Sequence, residues 1–178
     1  MRTHVRQWIP ACLMILLSPF LLGAGGTLPL APEIRAQKWL NSEPLDIEGL
    51  RGKVVLVEFW TFGCWNCQNV EPYIIDWYKK YQDDGLVVIG VHTPEFTYEQ
   101  KLGNLRRYLE EHGITYPVAV DNNFGIWHAF NNWAWPTVYL IGKQGHIRYK
   151  RVGEGGYKTT EETIRALLNE RTASDSSS

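Results

Sequence analysis

Two stretches of the chain are apolar over the whole length of a β-strand. They are residues 53–60, which end in VVLVEFW, and residues 86–92, LVVIGVH. Continuous apolar runs of this length are typical of strands that are covered on both faces of a sheet. Two further runs, 137–141 and 146–152, flank the turn sequence GKQG and predict a β-hairpin. A shorter apolar segment at 116–120 predicts one more strand.

Helical periodicity follows the first long strand. Apolar positions recur four, three and four residues apart along the segment that begins at Cys64: Val70, Ile74, Trp77 and Tyr81. This spacing places them on one face of an α-helix. Pro72 lies inside the segment and is expected to kink the helix, because proline lacks the amide hydrogen that a helix interior needs.

Two more helices are predicted from capping signals. The sequence Thr97-Tyr98-Glu99-Gln100 has the pattern of a capping box. The apolar positions of that predicted helix share one face: Tyr98, Leu102, Leu105 and Leu109. Residues 159–162, TTEE, begin a last helix, and residues 124–130 predict a helical turn between strands.

The order of these elements predicts an α/β fold. Strands and helices alternate along the chain before a final hairpin and helix, which indicates a central mixed β-sheet flanked by helices. A turn signal at residues 41–44 adds an N-terminal β-hairpin to this prediction. The domain is expected to span residues 27–172, and residues 173–178 form a polar, flexible tail.

The amino-terminal segment has the layout of a secretory signal peptide. Two arginines precede an apolar run at residues 8–22, small residues follow, and the first acid of the chain is Glu33. This layout predicts a signal peptide at residues 1–26 and a periplasmic or other extracytoplasmic location. The alternative is a retained membrane anchor, but two prolines interrupt the run, which is shorter than the ~20 residues of a spanning helix.

Composition and cysteine count narrow the classes of function that suit this chain. A net charge of −1 supplies no basic excess for nucleic acid. Of the three cysteines, Cys12 lies in the predicted signal peptide, so the exported domain keeps Cys64 and Cys67. A disulfide between them would close a loop too short to stabilise the fold appreciably. In an oxidising compartment, this spacing therefore favours a redox-active pair.

The position of the pair predicts different roles for the two thiols. The first-turn amides of a helix lower the pKa of a thiol at its N-terminus, so Cys64 is the expected attacking thiolate. Cys67 is one turn inward and is expected to resolve the mixed disulfide. Glu58 is the single carboxylate of the first apolar run. Burial would keep Glu58 protonated and able to exchange a proton with Cys67, whereas an edge position would expose it to solvent.

Other uses of the cysteines fit the sequence less well. Structural zinc needs four ligands, and the chain has no second cysteine pair. Covalent haem attachment needs histidine after the second cysteine, where Gln68 stands. The peroxiredoxin pattern Pro-x-x-x-Thr-x-x-Cys matches Thr61 and Cys64, but Val57 occupies the proline position. We therefore expect neither a metal nor another cofactor.

Three longer blocks carry a family resemblance: WLNSEPLDIEGLRGKVVLVEFWTFGCWNCQNVEPY, VIGVHTPEF and WAWPTVYLIGKQGHI. Through them, residues 39–168 resemble the thioredoxin-like superfamily, specifically the exported TlpA/ResA-like branch and its DipZ-like subgroup. The resemblance implies a thioredoxin fold with an extra inserted helix. Its pattern matches Glu58, six residues before Cys64, and Pro72, eight residues after it. It also implies that Pro136 is a cis-proline facing the cysteines.

The resemblance also implies contacts with substrate. The residue before the cis-proline, Trp135, would offer its backbone to an extended substrate segment, although its ring suits a core position equally well. Trp65 lies between the cysteines and is a candidate docking contact, since an exposed aromatic ring beside a reactive thiol favours association. Trp65-Asn66 replaces the Gly-Pro of thioredoxin itself.

The sequence thus predicts an exported thiol:disulfide oxidoreductase that reduces protein disulfides through a Cys64–Cys67 dithiol. The resemblance implies electrons from a membrane thiol carrier of the DsbD/CcdA kind. The direction of electron flow stays open, because the dipeptide between the cysteines influences the reduction potential. The alternative is a thioredoxin-shaped module that binds peptides or oxidises disulfides.

Overall fold

A six-stranded sheet forms the centre of the molecule in the computed structural model, which describes residues 28–171. Its strands are β1 (Lys38–Leu40), β2 (Val54–Trp60), β3 (Leu86–His92), β4 (Val118–Val120), β5 (Thr137–Ile141) and β6 (Ile147–Val152). Their order across the sheet is β1-β4-β3-β2-β5-β6. Strands β2, β3 and β4 are parallel, whereas β1, β5 and β6 each pair antiparallel with a neighbour.

Helices cover both faces of the sheet. They are α1 (Trp65–Tyr81), α2 (Leu102–Glu111), α3 (Gly125–Ala129) and α4 (Tyr157–Asn169), with a 3₁₀ turn at Thr97–Gln100. Residues of α1, α2 and α4 pack in one apolar cluster, and residues of α3 pack in a second cluster on the opposite face. The predicted mixed sheet flanked by helices is therefore confirmed. The four predicted apolar positions of α1 are all buried, and α1 continues through Pro72.

The alternation of side chains along β2 determines which way its carboxylate points. All seven residues of β2 are buried. Leu56 and Trp60 pack in the cluster that contains Cys67, whereas Val57 and Phe59 pack in the opposite cluster. Since successive side chains of a strand point to opposite faces, Glu58 lies on the face of the sheet that carries Cys67.

The predicted N-terminal hairpin is wrong. β1 has no local partner strand and instead pairs antiparallel with β4 at the edge of the sheet. Asn41 ends β1 with a left-handed backbone, and its Nδ2 donates to the carbonyls of Ile114 at 3.0 Å and Tyr116 at 3.1 Å. Beyond the turn, Ile47 is buried in the second cluster, and its amide donates to Glu33 at 2.7 Å. These distant contacts hold the segment in turns where a second strand was predicted.

The predicted helix start at Thr97 is also wrong. Residues 97–100 form the separate 3₁₀ turn, and α2 begins at Leu102. The reason is that the Glu99 carboxylate accepts the backbone N–H of Gly63, in the loop before the cysteines. Tyr98 and Leu102 are consequently exposed, while Leu105 and Leu109 are buried as predicted.

The predicted signal peptide, with Cys12, and the predicted tail lie outside the described residues. Among residues 28–171, no helix has the length and apolar character needed to cross a membrane.

Candidate redox active site

The cysteine pair lies at the carboxyl-terminal edge of the parallel strands, where β2 leads into α1. Cys64 is the N-cap residue of α1, and its Sγ accepts the backbone N–H of Cys67 at 3.2 Å. The two cysteines are joined as a disulfide, with Cα atoms 5.2 Å apart. Cys64 is half-buried and Cys67 is buried. The structure therefore leaves Cys64 open to a partner and shields Cys67, as the two roles require.

Glu58 is buried on the same face as Cys67. Its side chain is 2% exposed and lies between two apolar residues of β2. Burial raises the pKa of Glu58 to about 8, and the negative charge of Glu71 adds to the increase. Glu58 is therefore mostly protonated at neutral pH, and its pKa lies close to the ordinary pKa of a thiol, ~8.5. An acid and a thiol of similar pKa can exchange a proton in either direction.

A polar cluster around Glu71 lies near enough to Glu58 to raise its pKa. Glu71 follows Cys67 by four residues, which places both on one face of α1. Glu71 accepts a hydrogen bond from the Tyr108 hydroxyl at 2.8 Å and is 2.7 Å from Nδ1 of His112. Burial first, and then the hydrogen bond with Glu71, raise the pKa of Tyr108 above its ordinary range. Sequence reasoning missed Glu71, although its spacing from Cys67 could have indicated it.

Aromatic packing holds the loop between β2 and Cys64. The ring of Phe62 stacks on His92, with centroids 5.4 Å apart, and on Tyr108, with centroids 5.5 Å apart. His92 is fully buried, and its Nε2 is 3.2 Å from the hydroxyl of Thr61. Burial lowers the pKa of His92 to about 3, so its ring is neutral at physiological pH. His92 thus serves the loop as a neutral hydrogen-bonding and stacking partner.

The segment before β5 lies beside this loop. The register of β2 and β5 pairs Phe59 with Thr137, which places Pro136 level with the end of β2. The Trp135–Pro136 peptide bond is cis. The Trp135 ring is half-buried and packs at a tilt against Trp127, with centroids 4.3 Å apart. Its Nε1 donates to the backbone carbonyl of Thr93 at 3.0 Å.

Two tryptophans at this edge of the sheet are free of such packing. Trp65 is 73% exposed, as the sequence predicted for a docking residue, and Trp133 is 71% exposed. Sequence reasoning missed Trp133, because the pattern WAWP does not show which of its two rings turns inward.

No group of side chains suited to a metal ion occurs among residues 28–171. Three of the four histidines in this part of the chain make other contacts: His92 is bonded to Thr61, His112 to Glu71 and His146 to the carbonyl of Leu28.

Comparison with known proteins identifies the family. A sequence profile described as the AhpC/TSA family matches residues 30–150, more than half of the chain. The chain belongs to the AhpC/TSA family. Val57, which replaces the proline of the peroxiredoxin pattern, lies in the middle of β2 and pairs with Ile89 and Tyr139.

Similar proteins of known name support a redox site. The chain is 45% identical over 144 residues to "Protein DipZ" of Mycobacterium bovis, which covers 79% of this chain and 21% of DipZ. It is 32% identical over 140 residues to "Thiol-disulfide oxidoreductase YkuV" of Bacillus subtilis, covering 78% of this chain and 94% of YkuV. The chain thus spans about a fifth of the length of the first relative and almost all of the second.

A solved structure supports the fold. The crystal structure of a "Thiol-disulfide Isomerase" from Corynebacterium glutamicum superposes with a TM-score of 0.74 at 30% identity, covering 81% of this chain and 98% of that one. With the cysteine pair at disulfide distance, these likenesses confirm the predicted thioredoxin-like family and thiol:disulfide oxidoreductase domain.

Proposed function

We propose that this protein is an exported thiol:disulfide oxidoreductase that reduces protein disulfides, with Cys64 attacking, Cys67 resolving and Glu58 exchanging the proton of Cys67. The observation that carries the proposal is the asymmetry of the pair. Cys64 lies half-buried at a helix N-terminus, whereas Cys67 is buried on the same face as the buried carboxyl of Glu58.

The reaction proceeds in two exchanges. In the reduced protein, the Cys64 thiolate attacks one sulfur of a substrate disulfide, and the other substrate sulfur leaves as a thiolate that takes a proton from solvent. Cys67 then gives its proton to ionised Glu58 and attacks the sulfur of Cys64. The Cys64–Cys67 disulfide forms, and the substrate leaves with both of its sulfurs reduced. Two electrons have passed from the protein to the substrate.

In the return reaction, a donor thiol reduces the Cys64–Cys67 disulfide. A donor thiolate attacks Cys64, and the sulfur of Cys67 must leave from a buried position. Glu58 is mostly protonated at neutral pH because burial raises its pKa to about 8. It can therefore supply the proton that the leaving Cys67 requires. Glu58 serves as base in one direction and as acid in the other.

The proposed docking surface consists of Trp65, Trp133, Trp135 and Pro136. The exposed rings of Trp65 and Trp133 supply apolar contact area. The backbone at Trp135, beside cis-Pro136, takes an extended substrate segment by strand addition. In this proposal the ring of Trp135 contributes rigidity, since its own contacts are with Trp127 and the carbonyl of Thr93.

A binding module with the same fold is the second candidate. It would use the surface around Pro136 and would need neither a redox-active pair nor a buried acid. We expect the reduced protein to accelerate the reduction of insulin by dithiothreitol, because dithiothreitol can serve as the thiol donor that re-reduces the Cys64–Cys67 disulfide in the cycle above. With the Cys64→Ala variant, insulin reduction should proceed only at the uncatalysed rate. The rate is measured as the increase in turbidity when reduced insulin precipitates. Equal rates with and without the protein would favour the binding module.

Export and electron supply complete the proposal. The layout of residues 1–26 supports export to the periplasm or another extracytoplasmic space, where a membrane thiol carrier of the DsbD/CcdA kind would re-reduce the protein. N-terminal sequencing of the exported protein should find a chain that begins close to residue 27. A chain that still begins at Met1 and needs detergent for extraction would show a retained anchor.

A further inference from the structure

One buried carboxylate links the loop after β3 to the loop before the cysteines. Glu99 is 1% exposed, and its Oε1 accepts the N–H of Gly63 at 2.7 Å. Its Oε2 accepts the N–H groups of Glu95 at 2.6 Å and Phe96 at 2.8 Å. An ionised carboxylate has acceptors only, so both of its oxygens suit the backbone donors that they meet.

The chain leaves space for this contact at Gly63. A Cβ atom at that position would collide with Oε1 of Glu99 and with the hydroxyl of Tyr98. Gly63 directly precedes Cys64, so the hydrogen bond that its N–H donates to Glu99 is one peptide unit away from the residue that carries the reactive sulfur. A larger residue at position 63 would therefore have to displace the side chains of Glu99 and Tyr98.

The neighbouring residues of the cysteine loop are held by contacts of other kinds. The hydroxyl of Thr61 meets His92 at 3.2 Å, and the carbonyl of Phe62 accepts from Gln68 Nε2 at 2.9 Å. The amide of Cys64 itself donates back to the carbonyl of Thr61 at 3.2 Å. Gly63 is thus the residue whose backbone the loop after β3 holds, in a short turn that ends in the attacking thiol.

We propose that Glu99 is a positioning residue for Cys64. By holding the N–H of Gly63, it fixes the Phe62–Gly63 peptide plane, one peptide unit before Cys64, and thereby the direction in which the thiolate faces a substrate disulfide. This inference rests on the proposed role of Cys64 as the attacking thiol. Glu99 acts on the reaction only through Gly63.

Glu99→Gln tests the proposal with little change of shape. The amide side chain has one acceptor oxygen and one N–H₂ donor, so either Gly63 or the pair Glu95 and Phe96 faces a donor where it needs an acceptor. The matched control is Glu33→Gln. Glu33 also accepts two backbone N–H groups, from Ile47 at 2.7 Å and Glu48 at 3.1 Å, but these lie far from the cysteines in the chain.

The measurement is the rate of attack on Ellman's reagent, a small disulfide that needs no docking surface. The full chain with Cys67→Ala serves as the parent, so that only the first exchange is observed. Rates are compared on the high-pH plateau, where the Cys64 thiol is fully ionised and the charge of Glu99 no longer affects the thiolate fraction. We expect Glu99→Gln to be slower by about tenfold or more, because small displacements of a reacting group cost that much. Glu33→Gln should stay within about twofold of the parent.

A plateau rate for Glu99→Gln within about threefold of the parent would overturn the proposal, since a one-unit pKa change of the thiol alone alters its nucleophilicity by about that much. If Glu99→Gln fails to fold, Gly63→Ala tests the same contact from the other side and should show a similar loss. Where both variants fold, the plateau rate of the double variant should be no lower than that of the slower single variant, because both substitutions break the same contact. If the two reductions in rate multiply independently, the result would contradict the proposal.

The parent protein separates failure of this inference from failure of the proposed function. If the parent does not react, although Cys64 is present and reduced, both the role of Cys64 and that of Glu99 are overturned. If the parent reacts normally and the Glu99→Gln and Gly63→Ala variants keep its rate, only the role of Glu99 is overturned.

Discussion

Replacing Glu58 with glutamine is expected to slow the closing of the mixed disulfide by about 10²-fold or more, the range that general base assistance supplies. Closing requires that Cys67, which is buried, loses its proton. Glu58 lies on the same face of the sheet, and its pKa of about 8 makes it a stronger base than an ordinary carboxylate. Glutamine keeps the shape of the side chain but cannot accept that proton.

Stopped-flow kinetics with a model disulfide can separate the two exchanges. Attack by Cys64 needs only its thiolate, which the N-terminus of α1 stabilises, so the first phase serves as an internal control and should change little. Slowing of both phases by the same factor, or of neither, would show that Glu58 is not the proton acceptor of Cys67.

The pH dependence of the second phase supplies a further check. In the parent protein the closing rate should increase as the pH rises toward and through about 8, because more Glu58 is ionised. Glu71→Gln removes a negative charge that helps to raise the pKa of Glu58. This variant should keep a fast second phase and shift its increase to lower pH. If the second phase of the Glu71→Gln variant has the same pH dependence as that of the parent, the result would contradict the electrostatic coupling of the two carboxyls.

The same Glu58→Gln variant is expected to be more stable than the parent at neutral pH, by about 3 kcal/mol at pH 7 in the disulfide form. The pKa of Glu58 is raised from 4.5 to about 8 by burial first and by Glu71 second. Between these two pH values the unfolded chain releases a proton that the folded protein retains. The parent therefore loses stability as the pH rises from about 4.5 to about 8, and the loss levels off above that range.

Urea unfolding of both proteins at pH 4 and at pH 8 measures this difference. The free energies of unfolding should lie closest together at pH 4, where Glu58 is protonated in both states, and should separate toward pH 8. Glu162→Gln, which removes an exposed glutamate, is the matched control and should follow the pH dependence of the parent. Parallel curves for the parent and Glu58→Gln would show that Glu58 is not buried as described.

Together these two results would define a balance between stability and function at one residue. The buried carboxyl lowers the stability of the folded protein at neutral pH, and the same burial brings its pKa near that of a thiol. A carboxyl with an ordinary pKa would be more stable when ionised but a poorer proton partner for Cys67. With Glu58 as the proposed proton partner of Cys67, this balance is a physical reason for an acid within the apolar sequence of β2.

Features that depend on short-range pattern were predicted from the sequence. The strand β2, the apolar face of α1 and the position of Cys64 at the start of α1 follow from side-chain alternation, helical spacing and the order of elements. Glu58 was also predicted as a buried acid, because apolar residues flank it on both sides in the same strand. Each of these depends on neighbours within one element, where the backbone geometry is regular.

Features that depend on distant partners were missed or wrong. The capping pattern at Thr97 predicted a helix start, but the carboxyl of Glu99 bonds Gly63, 36 residues earlier in the chain. The turn at Asn41 predicted a hairpin, but its side chain bonds carbonyls more than 70 residues away. Local propensity differs little between such alternatives, so tertiary contacts decide between them.

The α/β order of elements, the cysteine pair, the acid in the first strand and the family resemblance could all be predicted without a structure, because they are properties of composition, spacing and local geometry. Three features required the folded structure: Glu58 faces the side of Cys67 with Glu71 nearby, Trp133 is exposed while Trp135 packs, and Glu99 accepts a hydrogen bond from the cysteine loop. Burial, pKa and loop position are set by groups that meet only when the chain has folded.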